Sequence, residues 1–136
     1  MEDMKMKKLL FTLVFMCISV SSYGSCLKFQ HQQCIISIIN LISTPEKFHD
    51  EIVLVHGVFK IKGSKALLYL NSEMAGFDSI PNRLVIELTN EQKKKFSNLN
   101  GQFVQIKGTF VYRNEVLGIS DSGFITSVKK LYSFEH

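Results

Sequence analysis

Four histidines, His31, His49, His56 and His136, together with the neighbouring pair His49-Asp50, are the side chains of this 136-residue sequence best suited to acid–base or metal chemistry. A metal site needs three or more ligands that converge. These histidines are spread over an N-terminal segment, a turn, a strand and the C-terminus, and the sequence holds neither a His-Glu-x-x-His pair nor an Asp-rich calcium loop. A hydrolytic triad can be assembled on paper from a serine with His49 and Asp50, but no Gly-x-Ser-x-Gly elbow is present to expose a nucleophile. His49-Asp50 reads more simply as the turn between "PEKF" and a strand. Asp78 with Glu87, or Asp121 beside Ser120, have the spacing of ordinary surface charges, and no Gly-rich phosphate cradle occurs. These residues predict a non-enzymatic protein with no metal and no cofactor.

What remains is binding chemistry, which depends on the elements that carry it. "CIISIINLISTPEKFHD" has Ile35, Ile38, Ile39 and Ile42 at helical spacing, with Pro45 ending the helix or opening a new turn. "EIVLVHGVFKIK" is a long strand with Val53, Val55, Phe59 and Ile61 on one parity, interrupted by Gly57. "GSK" at 63 to 65 is a turn. "ALLYLNS" is a second strand with Leu68 and Leu70 on one face and Tyr69 on the other. "EMAGFDSIPN" has loop composition. "RLVIELT" is a third strand, with Leu84, Ile86 and Leu88 inward and Arg83, Val85 and Glu87 outward. A short helix follows, capped by Thr89 or Asn90 and ended by Gly101. "QFVQIKGTFVYR" is a fourth strand, and "VLGISDSGFITSVKKLYSF" holds a fifth, broken by Gly118 and Gly123.

The first and fourth strands repeat one phrase. Val53, Val55, Gly57, Phe59 and Ile61 fall on Val104, Ile106, Gly108, Phe110 and Tyr112, whereas the opposite parity is dissimilar: His56 falls on Lys107 and Val58 on Thr109. A repeat confined to one parity is a repeat of the core-facing side, which leaves His56 facing solvent. A glycine at the same place in each strand permits the coil or bulge by which one strand serves both sides of a small barrel. The predicted fold is mainly β: a small five-stranded OB-like barrel with a short N-terminal helix and a short helix between strands three and four. Coincidental β-patterning in a sandwich is the competing reading.

The run "IINLISTPEKFHDEIVLVHGVF…ALLYLNSEM…LNGQFVQIKGTF…GISDSGFITSVKKL" resembles a family of small, exported, functionally uncharacterised bacterial proteins with an OB-like barrel. The likeness covers about residues 35 to 132 and rests on structural motifs. It departs at Asp50, where that pattern usually has Gly, and at Phe48, where Tyr is common. The resemblance implies a fold, not a reaction.

In an OB-fold the usual ligand surface is the face of strands two and three. Here that face presents Lys60, Lys62, Lys65, Tyr69, Arg83 and Arg113 as the candidate ligand residues, with Tyr112 at its rim. Single-stranded nucleic acid needs several stacking aromatics in a basic groove, and one outward tyrosine is thin for that. The expected function is an interaction module with a protein partner, of the inhibitor or immunity kind. The alternative is an OB-fold binder of single-stranded nucleic acid or oligosaccharide through the strand two/three face.

The first 24 residues read as a signal peptide and residues 25 to 136 as one domain. Lys5, Lys7 and Lys8 precede an apolar run from Leu9 to Val20 and then small polar residues, the layout of a secretory leader. That run is too short to span a bilayer of about 30 Å as a helix. Glu2 and Asp3 are unusual in such a leader, and a start at Met4 or Met6 is cleaner. Cleavage after Gly24 or after Ser22 both fit, and "YGSC" also resembles a lipoprotein signal with Tyr23 where a Leu-like residue is expected. The expected location is the periplasm, the cell envelope or the outside, with membrane attachment only through a lipidated Cys26. Export makes cysteine pairing the default, and loss of Cys17 leaves Cys26 and Cys34 as the expected disulfide. Lipidation of Cys26, or Cys34 as a small buried hydrophobe, are the alternatives. Without the leader's Lys5, Lys7, Lys8, Glu2 and Asp3, the totals of 16 basic and 12 acidic residues become 13 and 10. That excess is too weak to imply nucleic acid.

Overall fold

A computed structural model describes residues 2–8, 35–113 and 123–134. The chain divides into two compact units, Met1–Gln30 and His31–His136. In the first, residues 2–8 are helical and exposed. The rest of the expected leader, both cysteines of the expected disulfide, His31, His136, Ser120, Asp121 and Gly118 lie outside the described residues.

The second unit is mainly β, a six-stranded mixed sheet made of β1 (Ile35–Ile36), β2 (Ile52–Lys62), β3 (Lys65–Tyr69), β4 (Arg83–Ile86), β5 (Phe103–Val111) and β6 (Phe124–Ser133). Strand β2 pairs antiparallel with β5 along Ile52–Val58 and with β3 along Val58–Lys62. Strand β4 joins β3 antiparallel and β6 parallel, and β6 returns to β5 antiparallel. The pairings therefore close in a ring, β2–β3–β4–β6–β5–β2, and β1 adds parallel to β2 at Leu54 and Val55.

Period-2 alternation sets the inside of this ring. Val53, Val55 and Phe59 of β2 meet Val104, Ile106 and Phe110 of β5, all at most 1% exposed, with Leu68, Leu84, Ile86 and Ile125 completing the core. The repeated parity is the buried one. Gly57 lies where β2 passes from one partner to the other, and a Cβ there would stand 2.5 Å from the Tyr69 carbonyl oxygen and 2.8 Å from Leu68 Cγ. At Gly108 a Cβ would stand 2.6 Å from Ile125 Cγ2 and 2.9 Å from the Thr126 carbonyl oxygen. There the β5–β6 register shifts between Lys107 and Thr109, and Ser127 takes a φ of 49°. Both glycines are sites of close backbone approach, as the repeat predicts.

Among the described residues three helices join the strands. Helix α1 (Ile38–Ser43) starts at Ser37, whose hydroxyl accepts from Asn40 N at 3.2 Å, so the expected helix from Ile35 is corrected: Ile35–Ile36 is strand. Its buried residues are Ile38 and Leu41, while Ile39 is 57% exposed and Ile42 is partly buried. Pro45 opens a 3-10 turn, Pro45–Lys47, after that helix. Asp50 then takes a left-handed φ of 62°, with its N–H donating to the Phe110 carbonyl at 2.8 Å. That geometry suits glycine, and Asp is among the residues that tolerate it.

Helix α2 (Ser72–Gly76) was not expected, since its segment has loop composition. The Asn71 side chain caps it by accepting from Met74 N at 2.8 Å. Helix α3 (Asn90–Lys95) is the expected helix before β5, opened by a capping box in which Thr89 and Gln92 each accept from the other's backbone N–H. A 3-10 turn, Ser97–Leu99, and Gly101 at φ 86° finish it. The expected third strand ends at Ile86 rather than Thr89, leaving Leu88 partly buried against the core.

Candidate functional site

The expected ligand face is not open. Outside the ring, Val58, Leu67 and Tyr69 form a second apolar cluster with Ala75 of α2, flanked by Met74 and Val85. Tyr69 is 0% exposed and Arg83 7%, which corrects their assignment as presented ligand residues. The reason is physical. Tyr69 does face away from the core, but α2 and the segment after it fold over that face.

The covering segment is fastened by one carboxylate. Asp78, at a left-handed φ of 53°, accepts from Arg83 Nη1 at 2.6 Å, from Lys62 Nζ at 2.7 Å and from the Tyr69 hydroxyl. The buried Arg83 charge is thereby paired, as burial of a guanidinium requires. Hydrogen bonds from Lys62 and Tyr69, with the Arg83 charge, hold the Asp78 carboxyl at a pKa of about 2, below its ordinary 3.8. Burial, and then Asp78, raise the Tyr69 phenol. The arrangement is a structural clasp whose carboxylate has its oxygens engaged by the chain itself.

A pH dependence follows. The folded pKa of Asp78 is depressed, so its contribution is complete above about pH 4 and is lost as pH falls through about 2, because the unfolded chain takes up the proton first. Urea midpoints measured from pH 6 down to pH 2 are expected to fall more for the wild type than for Asp78→Asn, with the two curves converging at the acid end. Parallel curves would contradict the clasp.

The remaining candidates scatter. Lys60 Nζ leans toward the Gly101 turn, Lys65 is exposed at the β2–β3 hairpin, and Tyr112 is partly buried against the core. Arg113 pairs with Glu87 at 2.8 Å and lies 4.2 Å over the Phe124 ring. Lys62, Tyr69 and Arg83 are thus brought together, around Asp78, while Lys60, Lys65 and Arg113 are not. Of the other polar candidates, His49 Nδ1 accepts from Tyr112 N at 3.0 Å, which makes it a turn anchor. Among the described residues no group of three His, Cys, Asp or Glu side chains could hold a metal ion. No helix among them is long and apolar enough to cross a membrane.

The surface that sequence reasoning missed lies on β2, β5 and β6. His56 is half-buried rather than solvent-facing, and its Nε2 is 3.0 Å from Gln105 Oε1. Its ring stands edge-on to Phe134 at 4.7 Å and to Phe103 at 6.1 Å, and the two phenylalanines stand 6.1 Å apart. Phe103 and Tyr132 are each 45% exposed and Phe134 is 40% exposed. Register puts Gln105 opposite both His56 and Tyr132, and the Phe134 N–H donates to the Phe103 carbonyl at 3.0 Å. One row further along, Lys107 stands directly opposite Lys130. A signal existed: Phe103 shares its parity with Gln105 and Lys107, so a large aromatic occupies an outward position.

No family model matches the chain, and no curated protein matches it. Among solved structures it is similar to a crystal structure described as an aspartyl-tRNA synthetase from Leishmania major Friedlin, at 15% identity and a TM-score of 0.47. That likeness covers 79% of this chain, which spans 22% of the length of the other.

Proposed function

We propose that the chain is an exported, non-enzymatic OB-like barrel that docks a protein partner on the outer face of β2, β5 and β6, a module of the inhibitor or immunity kind. The closed ring of pairings, the coil of β2 shared between β3 and β5, and helix α3 between β4 and β5 support the OB-like reading. The leader-like start of the sequence supports export. The observation that carries the docking role is the aromatic cluster of His56, Phe103 and Phe134 with the neighbouring Tyr132, held half out of water on the outer face of the sheet. Exposed aromatics grouped in one patch mark interaction sites, and such residues dominate the energetics of protein interfaces.

The test is affinity capture from an envelope extract with the wild type and with a Phe103→Ala/Phe134→Ala variant. The wild type is expected to retain a protein in near-equal amount, and the variant, which keeps its core, to lose it by at least about tenfold. Equal retention by both chains contradicts the docking face. Saturable, salt-sensitive binding of an oligonucleotide or oligosaccharide with no protein retained favours the alternative ligand class.

A further inference from the structure

The charge on the aromatic face points to the chemistry of the partner, an inference that rests on the protein-docking reading above. Strands β2, β5 and β6 contain no Asp or Glu, while β5 and β6 place Lys107 and Lys130 on this face. Lys107 and Lys130 are direct cross-strand partners. Like charges directly opposite on a sheet destabilise it. Among the described residues neither Lys107 nor Lys130 has an acidic partner. An anionic group arriving from outside would relieve that repulsion.

Two anionic occupants suit a basic, aromatic face, and ring geometry separates them. Successive bases need aromatic faces open for stacking. The rings of His56, Phe103 and Phe134 instead pack edge to face, with interplanar angles of 72°, 65° and 62°. They make one uneven apolar patch, suited to side chains. A second copy of this chain fits poorly, because an isologous contact sets the same acid-free face against itself. We therefore propose that the β2–β5–β6 face binds an acidic protein segment, with carboxylates meeting the Lys107–Lys130 row and intervening aromatic or aliphatic side chains packing on Phe103, Tyr132 and Phe134.

The test measures binding of the full chain to a random Glu-Tyr copolymer, to polyglutamate and to oligothymidylate of similar length. The expected result is saturable binding of the copolymer, at least about tenfold tighter than polyglutamate. Lys107→Glu/Lys130→Glu is expected to weaken it by at least about tenfold, and raising salt from about 0.05 M to about 0.3 M to weaken the wild type more than that variant. Should the charge-reversed chain not fold, Lys107→Gln/Lys130→Gln gives the same comparison. Equal binding of polyglutamate, equal or tighter binding of oligothymidylate, no copolymer binding, or concentration-dependent dimers in sedimentation would each overturn the proposal. The two levels separate in the capture experiment. A partner retained undiminished by the charge-reversed chain sinks the acidic-segment inference and leaves protein docking standing, whereas capture of no protein sinks both.

Discussion

Phe59→Ala and Phe110→Ala are each expected to lower stability by about 3–5 kcal/mol, the cost of deleting a large buried ring and leaving a cavity. Both rings are 0% exposed, and they come from the two repeated strands, β2 and β5. The closed pairings limit collapse, because a strand moving inward to fill the void must also move against neighbours on both sides. Lys107→Ala, one residue before Gly108 and on the outer face, is expected to stay within about 0.5 kcal/mol. Urea melts monitored by circular dichroism check the contrast. A Lys107 change as damaging as the phenylalanine changes would mean that inside and outside are assigned wrongly.

Gly57→Val and Gly108→Val follow, each expected to cost at least about 1–3 kcal/mol, the range for overpacking a well-filled core. The obstacle at Gly57 is chiefly a backbone atom, the Tyr69 carbonyl oxygen 2.5 Å from the position of a Cβ, which a rotamer change cannot move. At Gly108 both the Ile125 methyl group and the Thr126 carbonyl stand in the way, so the irregular β5–β6 register must shift. Gly63, at the hairpin turn, has nothing within 4 Å of such a Cβ and so lacks this packing obstacle. Gly57→Ala separates the two kinds of cost, since one methyl group already meets the carbonyl. Melting at the wild-type midpoint for Gly57→Ala would refute the close approach.

The parity of the repeated phrase identifies the inner face of β2 and β5. Val53, Val55, Phe59, Val104, Ile106 and Phe110 are inward in sequence and in structure, and of the two cap candidates, Thr89 and Asn90, it is Thr89 that caps the helix. Alternation reports which side of a strand faces the core. It is silent on whether something covers the other side, so Tyr69 and Arg83 are outward by parity and yet buried, Tyr69 against α2 and Arg83 against Asp78 of the segment after it. Helix α2 has five residues, shorter than any periodicity can register, and its Gly, Asp, Ser and Pro neighbours imitate a loop. The same shortness hid β1, two residues attached to β2. The aromatic cluster was hidden for another reason: His56, Phe103 and Phe134 come from three strands, and only register brings them together.

Helix α2 also explains why the two outer faces have different fates. The β2–β3–β4 side is closed by Ala75 and fastened by Asp78 to Lys62, Tyr69 and Arg83, so its polar groups are engaged internally. On the β2–β5–β6 side Phe103, Tyr132 and Phe134 remain 40–45% exposed beside an acid-free row of lysines. The proposed docking surface lies on the second side. Photo-crosslinking resolves the two faces directly, with benzoylphenylalanine placed singly at Phe103, Tyr132, Lys65 and Phe77 in cells that make the protein. Phe77 is the stringent control, since it is 79% exposed and follows α2 on the closed side. One common cross-linked protein from positions 103 and 132, and none from 65 and 77, is the predicted result. Cross-links that form from 65 or 77 while 103 and 132 stay silent would contradict it.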